Sequence, residues 1–135
     1  MGSNKQNFLN KHKADNQDSL KAANDCYPKF SFEFCFGTKK SITECSKDIK
    51  CRIIDKIIYL SQLTWKDISE LRREQGFERI DVSSLNHNSN TPVKFSDVNK
   101  VDVFRIGNKG RLIGYIEEDT FFIVWIDTKF EMYDH

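Results

Sequence analysis

The sequence has few of the residues that mark turns, and its cysteines show no pattern of metal binding. Its 135 residues include two prolines and six glycines, and its four cysteines form no C-x-x-C pair and have no histidine at zinc-finger spacing. No apolar run approaches the roughly 20 residues that span a bilayer, and the first 25 residues are too polar for a secretory signal. We therefore expect a cytoplasmic protein with reduced thiols and no membrane partner.

Motifs of the common enzyme classes are also missing. The sequence has no glycine-rich phosphate loop, no H-E-x-x-H, no G-x-S-x-G, and no cysteine with a nearby histidine to activate it. The formal net charge is only +1, which argues against a strongly basic nucleic-acid coat. Residues 94–111 nevertheless carry five basic side chains against two acidic ones, so a local basic patch is possible.

The length fits one domain, and the composition indicates a core rich in aromatic rings. Aromatic residues make up 13% of the chain, and eleven of them are phenylalanines. Residues 1–26 contain few large apolar groups, which predicts a flexible polar arm or a short, loosely docked helix. The domain itself is then expected to cover residues 27–135.

The first half of this domain changes from a strand pattern to a helix pattern. Residues 29–37 (K-F-S-F-E-F-C-F-G) alternate phenylalanine with other residues, which predicts a strand with one phenylalanine face. Residues 46–63 predict a helix, and Ile54 and Ile58 form a second apolar stripe on it. We therefore expect this helix to be covered on two sides, by a sheet and by another helix. Its main stripe consists of Ile49, Ile53, Ile57, Leu60 and Leu63.

A second helix and a meander of strands follow. Thr64 and Asp67 resemble a capping box that opens a helix ending near Gly76, and a short strand around Ile80 and Val82 is possible. Three further strands are predicted at residues 101–106, 111–117 and 120–127, the last apolar on both faces and therefore central. The predicted fold class is α+β, in the order β-α-α-β-β-β, with two helices packed on a small, mostly antiparallel sheet.

The best candidate for chemistry is a pair of arginines. Arg105 and Arg111 flank a hairpin that also contains Lys109, and two guanidinium groups brought together there can bind one phosphate. Because Arg111 begins a strand at a turn, we expect its head group to face solvent. The simpler alternative is a solvated hairpin end whose cations offset acidic neighbours.

Two other groups of polar residues lie near the end of the sequence. Tyr133 and His135 could move protons near a phosphate, unless these last residues are frayed. Asp127 and Glu131 form a pair of carboxylates of the kind that binds metals. They have no histidine or third carboxylate at useful spacing, so we predict no metal.

The element order and the C-terminal segment together resemble a known family. The segment V-F-R-I-G-N-K-G-R-L-I-G-Y-I-E-E-D-T-F-F-I-V-W-I-D-T-K-F-E-M-Y-D-H is similar to that of the RelE/ParE-like toxin superfamily of bacterial toxin–antitoxin systems. By this resemblance Arg105 and Arg111 match the basic residues before and after the family's turn. Lys129 matches the basic residue beyond the last apolar strand, and Tyr133 or His135 matches the terminal aromatic residue.

The resemblance implies a toxin that cleaves messenger RNA on the ribosome without a metal or other cofactor. A 2′-hydroxyl would attack the adjacent phosphate while the two arginines neutralise it, and an antitoxin would cover the basic site. The implied catalytic residues are Arg105, Arg111, Tyr133 and His135, and the implied RNA-binding residues are Lys109 and Lys129.

A second hypothesis is a non-catalytic module of the same fold, encoded by a phage or another mobile element. It would bind a protein partner through its phenylalanine-rich or tryptophan-bearing surface, and the balanced charge of the chain favours this alternative.

Removal of the N-terminal arm tests the predicted domain boundary. Deleting residues 1–25 should shift the thermal midpoint by no more than about 4 °C, because the arm has few apolar side chains to bury. Calorimetry measures the shift, and a loss of cooperative unfolding would show that the arm is a docked element of the core.

Overall fold

The computed structural model of the protein describes residues 25–71, 76–86 and 91–134. The predicted arm falls outside these ranges except for residues 25 and 26, and so does His135. Within the described ranges no helix is both long and apolar enough to cross a membrane. The elements are β1 (Lys29–Ser31), α1 (Lys47–Leu60), α2 (Trp65–Ser69), β2 (Phe77–Asp81), β3 (Lys100–Arg105), β4 (Arg111–Glu117) and β5 (Thr120–Asp127).

The predicted α+β class is confirmed, but the sheet differs from the prediction. It has five strands in the order β1-β5-β4-β3-β2, because the short strand expected around Ile80 and Val82 is an edge strand that covers Phe77–Asp81 and ends before Val82. Three strand pairs are antiparallel, whereas β1 runs parallel to β5, with Phe30 opposite Phe121. The sheet is therefore mixed, and β5 is an interior strand as its two apolar faces predicted.

The strand predicted at residues 29–37 is wrong beyond Ser31. The hydroxyl of Ser31 accepts the N–H of Glu33, and the carbonyl of Phe32 accepts the N–H of Cys35, so the chain turns at once. The phenylalanines then separate instead of forming one face. The side chain of Phe36 is 65% exposed.

The first helix begins where predicted, but its second stripe is not covered. Ser46 caps α1 by accepting the N–H of Ile49, and Ile53 and Leu60 are fully buried. In contrast, Ile54 and Ile58 are 50% and 56% exposed. The expectation that a second helix would cover them is wrong, and the helix that follows α1 is only five residues long.

The second helix confirms its predicted start but not its predicted end. The capping box of Thr64 and Asp67 is present, with both reciprocal hydrogen bonds. The helix ends at Ser69, well before Gly76. Trp65 and Ile68 are its buried residues, and the indole of Trp65 donates to the carbonyl of Asp119 at 3.0 Å, which ties the helix to the β4–β5 turn.

A β-bulge between β4 and β5 sets which side chains face each layer. Ile113 pairs with Trp125 and Gly114 pairs with Ile123, so Val124 is an extra residue in β5. The core on the helix side includes Phe104, Ile106, Leu112, Phe121, Ile123 and Ile126 together with the helices. The core on the opposite face, here called the outer face, includes Phe95, Val101, Val103, Ile113, Tyr115, Val124, Trp125, Met132 and Tyr133.

Gly114 is required by the close approach of the two strands at this bulge. A Cβ atom at position 114 would lie 1.9 Å from the carbonyl oxygen of Phe122, whereas one at Gly37 would meet nothing within 4 Å. We expect Gly114→Ala to lower the free energy of unfolding by about 3 kcal/mol, because the strands must separate. Gly37→Ala, the control, should cost about 1 kcal/mol through its positive φ alone.

Urea unfolding of both variants measures the difference. Equal losses at the two positions would show that the bulge accommodates a methyl group, and would contradict the tight register described above.

Candidate functional site

The hairpin between β3 and β4 brings the two candidate arginines together. Arg105 is the last residue of β3 and lies directly opposite Arg111, the first residue of β4. Cross-strand partners project from the same side of a sheet, and the pair two residues further along, Val103 and Ile113, belongs to the outer core. Both arginines are therefore placed on the outer face, away from the helices.

The prediction that the head group of Arg111 faces solvent is wrong. Arg111 is only 8% exposed, and its guanidinium carbon lies 4.9 Å from the centre of the Phe130 ring. One terminal nitrogen donates to the carbonyl of Gly110 at 3.0 Å, but Nε is buried and has no hydrogen-bond partner among the described residues. The C-terminal segment folds over the arginine, and the sequence around Arg111 contains no signal of this.

Arg105 also lacks, among the described residues, a hydrogen-bond partner at one of its side-chain nitrogens. Its side chain is half-buried, and its Nε atom is buried without a hydrogen-bond partner in the described part of the chain. No described carboxylate lies within ion-pair distance of either arginine. Two like charges opposite each other on a sheet repel, and a buried cation without an anion is costly. An oxyanion placed between them would relieve both costs.

Tyr133 lies beside this pair and is joined to a residue that the sequence analysis missed. Its hydroxyl donates to a carboxylate oxygen of Glu78 in β2 at 2.6 Å. Burial, followed by the contact with Glu78, raises the pKa of Tyr133 to about 12, and the nearby Arg111 opposes this rise. At neutral pH the tyrosine is therefore a protonated hydrogen-bond donor and a poor proton acceptor.

The carboxylates that resembled half of a metal site have a structural role instead. Asp127 is fully buried and accepts the N–H groups of Glu131 and Met132 at 3.2 and 2.9 Å. The ammonium group of Lys40 lies 3.5 Å from Asp127 and 2.7 Å from Glu131. Among the described residues no group of His, Cys, Asp and Glu is arranged to bind a metal. These contacts fix the segment that places Phe130 and Tyr133.

Of the remaining candidates, two are exposed lysines and one lies outside the described residues. Lys109 is exposed in the hairpin turn, and its N–H donates to the carbonyl of Ile106. Lys129 is exposed beside a cavity of about 410 Å³ that also contacts Lys39 and Trp125. His135 lies outside the described residues. The roles predicted for these three residues stay predictions.

Comparison with other proteins found no relative, so the site is interpreted from its geometry. No protein-family model matches the chain, and no match was found among curated proteins or among solved structures.

The ion pair of Lys40 can be tested for its role in holding the C-terminal segment. Lys40→Met should lower the free energy of unfolding by about 2 kcal/mol, because buried Asp127 loses its cation while keeping two backbone donors. Lys39→Met, at the exposed neighbouring position, should change it by less than about 0.5 kcal/mol.

Hydrogen exchange at the amide of Met132, which donates to Asp127, should also become faster in Lys40→Met. An unchanged exchange rate and an unchanged stability would show that the backbone hydrogen bonds alone hold the segment.

Proposed function

We propose that this protein is an endoribonuclease toxin of the RelE/ParE-like type, which binds a phosphodiester of messenger RNA at Arg105 and Arg111. The main support is the pair of arginines that face each other across the hairpin, each with a buried Nε lacking a partner among the described residues. Two guanidinium groups in this arrangement present several parallel donors to a phosphate and stabilise the charge that develops on it.

The Glu78–Tyr133 pair would supply the proton transfers of this reaction. The carboxylate of Glu78 takes the proton of the 2′-hydroxyl, whose oxygen attacks phosphorus as the bond to the 5′-oxygen breaks. Tyr133 gives its proton to the departing 5′-oxygen and regains one from Glu78 through their 2.6 Å hydrogen bond. The products are a 2′,3′-cyclic phosphate and a 5′-hydroxyl end, and no metal takes part.

The raised pKa of Tyr133 fits the role of donor in this scheme. A phenol with a pKa of about 12 stays protonated at neutral pH and is a stronger acid than the alcohol that leaves. The resemblance also allows His135 to move a proton, so we keep it as the second candidate for this step.

Access to the two arginines differs in this proposal. Arg105 is half-exposed and meets the phosphate first, whereas Arg111 lies under the ring of Phe130. In this proposal the phosphate reaches Arg111 by displacing this ring, which is 36% exposed. Lys109 and Lys129 would contact the RNA on either side, and a cognate antitoxin in the cytoplasm would cover the same basic surface.

The alternative of a non-catalytic interaction module is favoured by the balanced charge and by one structural observation. The stripe of Ile54 and Ile58 is half-exposed on α1 and offers an apolar surface to a partner. The tryptophan-bearing surface expected from the sequence is not available, since Trp65 and Trp125 are only 7% and 4% exposed.

Expression without an antitoxin separates the two functions. The wild-type protein should stop growth and translation, and Arg105→Ala or Arg111→Ala should each reduce RNA cleavage on ribosomes by on the order of 10²-fold. The double variant should lose far less than the product of the single losses, because both residues act on one phosphate.

Controls keep this test independent of folding. Lys100→Ala, at the other end of β3, should cleave like the wild type, and Arg111→Lys preserves a cation at the buried position while removing the paired donors. Arrest that survives both arginine substitutions would place the active site elsewhere. An inert wild-type protein with intact structure would reject the toxin and favour the interaction module.

A further inference from the structure

A third cation, in the helix layer, lies near the stem of Arg105. Lys56 of α1 is half-buried at the end of the sheet where β2 begins. A Cβ atom built on Gly76 would lie 3.1 Å from the ammonium nitrogen of Lys56 and 3.3 Å from Cβ of Arg105. The ammonium group and the stem of Arg105 therefore both lie close to one glycine, although their elements belong to different layers.

The charge of Lys56 is not neutralised within the described residues. No described carboxylate forms an ion pair with it, and burial alone lowers the pKa of its ammonium group. Of its charged neighbours on the helix, Arg52 pairs with Asp48 at 3.1 Å. Asp55 lines a surface groove together with Lys56 without forming an ion pair with it. Lys56 therefore shares with Arg105 the lack of an ion-pair partner among the described residues.

An exposed aromatic ring lies next to this lysine. The ammonium nitrogen of Lys56 is 5.6 Å from the centre of the Tyr59 ring, and Tyr59 is 49% exposed. Both line an open groove of about 280 Å³ that runs against the β3–β4 hairpin. The other residues of the groove are Arg52, Asp55, Ile106 and Gly107.

A cation beside an exposed ring is the combination that binds single-stranded nucleic acid. The cation contacts a backbone phosphate, and the ring stacks on the neighbouring base without requiring a particular sequence. The groove is lined by Ile106 and Gly107, which directly follow Arg105 in the chain, so a strand bound at the arginines can reach it around the end of the sheet.

We propose that the Lys56–Tyr59 groove is a second nucleotide subsite for single-stranded RNA. Lys56 contacts the phosphate next to the one bound by Arg105 and Arg111, and the adjoining base stacks on Tyr59. The RNA then passes from the outer face, around the end of the sheet, onto α1. This inference rests on the proposed function, but it concerns binding and can be measured apart from cleavage.

The experiment measures binding of a short, fluorescein-labelled RNA with 2′-O-methyl groups throughout, which cannot undergo attack by a 2′-hydroxyl. Fluorescence anisotropy over a range of salt concentrations gives the affinity and its salt dependence for the full chain. The variants are Lys56→Met and Tyr59→Leu, and their matched controls are Lys50→Met, at an exposed position of the same helix, and Tyr59→Phe.

We expect Lys56→Met to reduce the slope of log affinity against log salt by about 0.7, the loss of one phosphate contact. Tyr59→Leu should weaken binding by about 5- to 100-fold, since a stacked base is lost, while Tyr59→Phe and Lys50→Met should bind like the wild type. RNA binding by the wild type with Lys56→Met and Tyr59→Leu equal to their controls would overturn the subsite and leave the proposed function standing. Absence of RNA binding by the wild type would overturn the subsite, whereas the proposed function is decided separately by cleavage on ribosomes.

Discussion

One extra residue in β5 determines what the outer face of the sheet presents. Side chains alternate along a strand, so without the bulge at Val124 both Trp125 and Asp127 would lie on the face that packs against the helices. The bulge turns them to the outer face, where Asp127 comes into register with Arg111 and anchors the C-terminal segment. The cover over the arginine pair therefore depends on a local irregularity in the strand beside it.

The charges on this face are close together but committed to different partners. Asp127 is the cross-strand neighbour of Arg111, yet its carboxylate is used by two backbone N–H groups and by Lys40. The guanidinium of Arg111 is covered by the ring of Phe130, which attracts a cation but does not neutralise it. A buried positive charge is thus left without an ion-pair partner among the described residues, which is costly to stability.

Structural features that depend on residues close together in the chain can be predicted from the sequence. Both limits of the strands at residues 111–117 and 120–127 are as predicted, because alternation and turn residues are local signals. The pattern of residues 29–37 misleads, since a turn after the third residue sends the later rings to other partners. The burial of Arg111 and the role of Glu78 could not be predicted, because each depends on a segment distant in the chain, 55 residues away in the case of Glu78 and Tyr133.

The parallel pairing of β1 with β5 affects how the protein is made. The ion pair of Lys29 with Asp119 joins residues 90 positions apart, whereas β3, β4 and β5 pair with their neighbours in sequence. At ordinary rates of synthesis the edge around Phe30 waits on the order of ten seconds for its partner Phe121 to leave the ribosome. The speed of translation between these strands therefore sets how long an unpaired aromatic edge is open to the wrong neighbours.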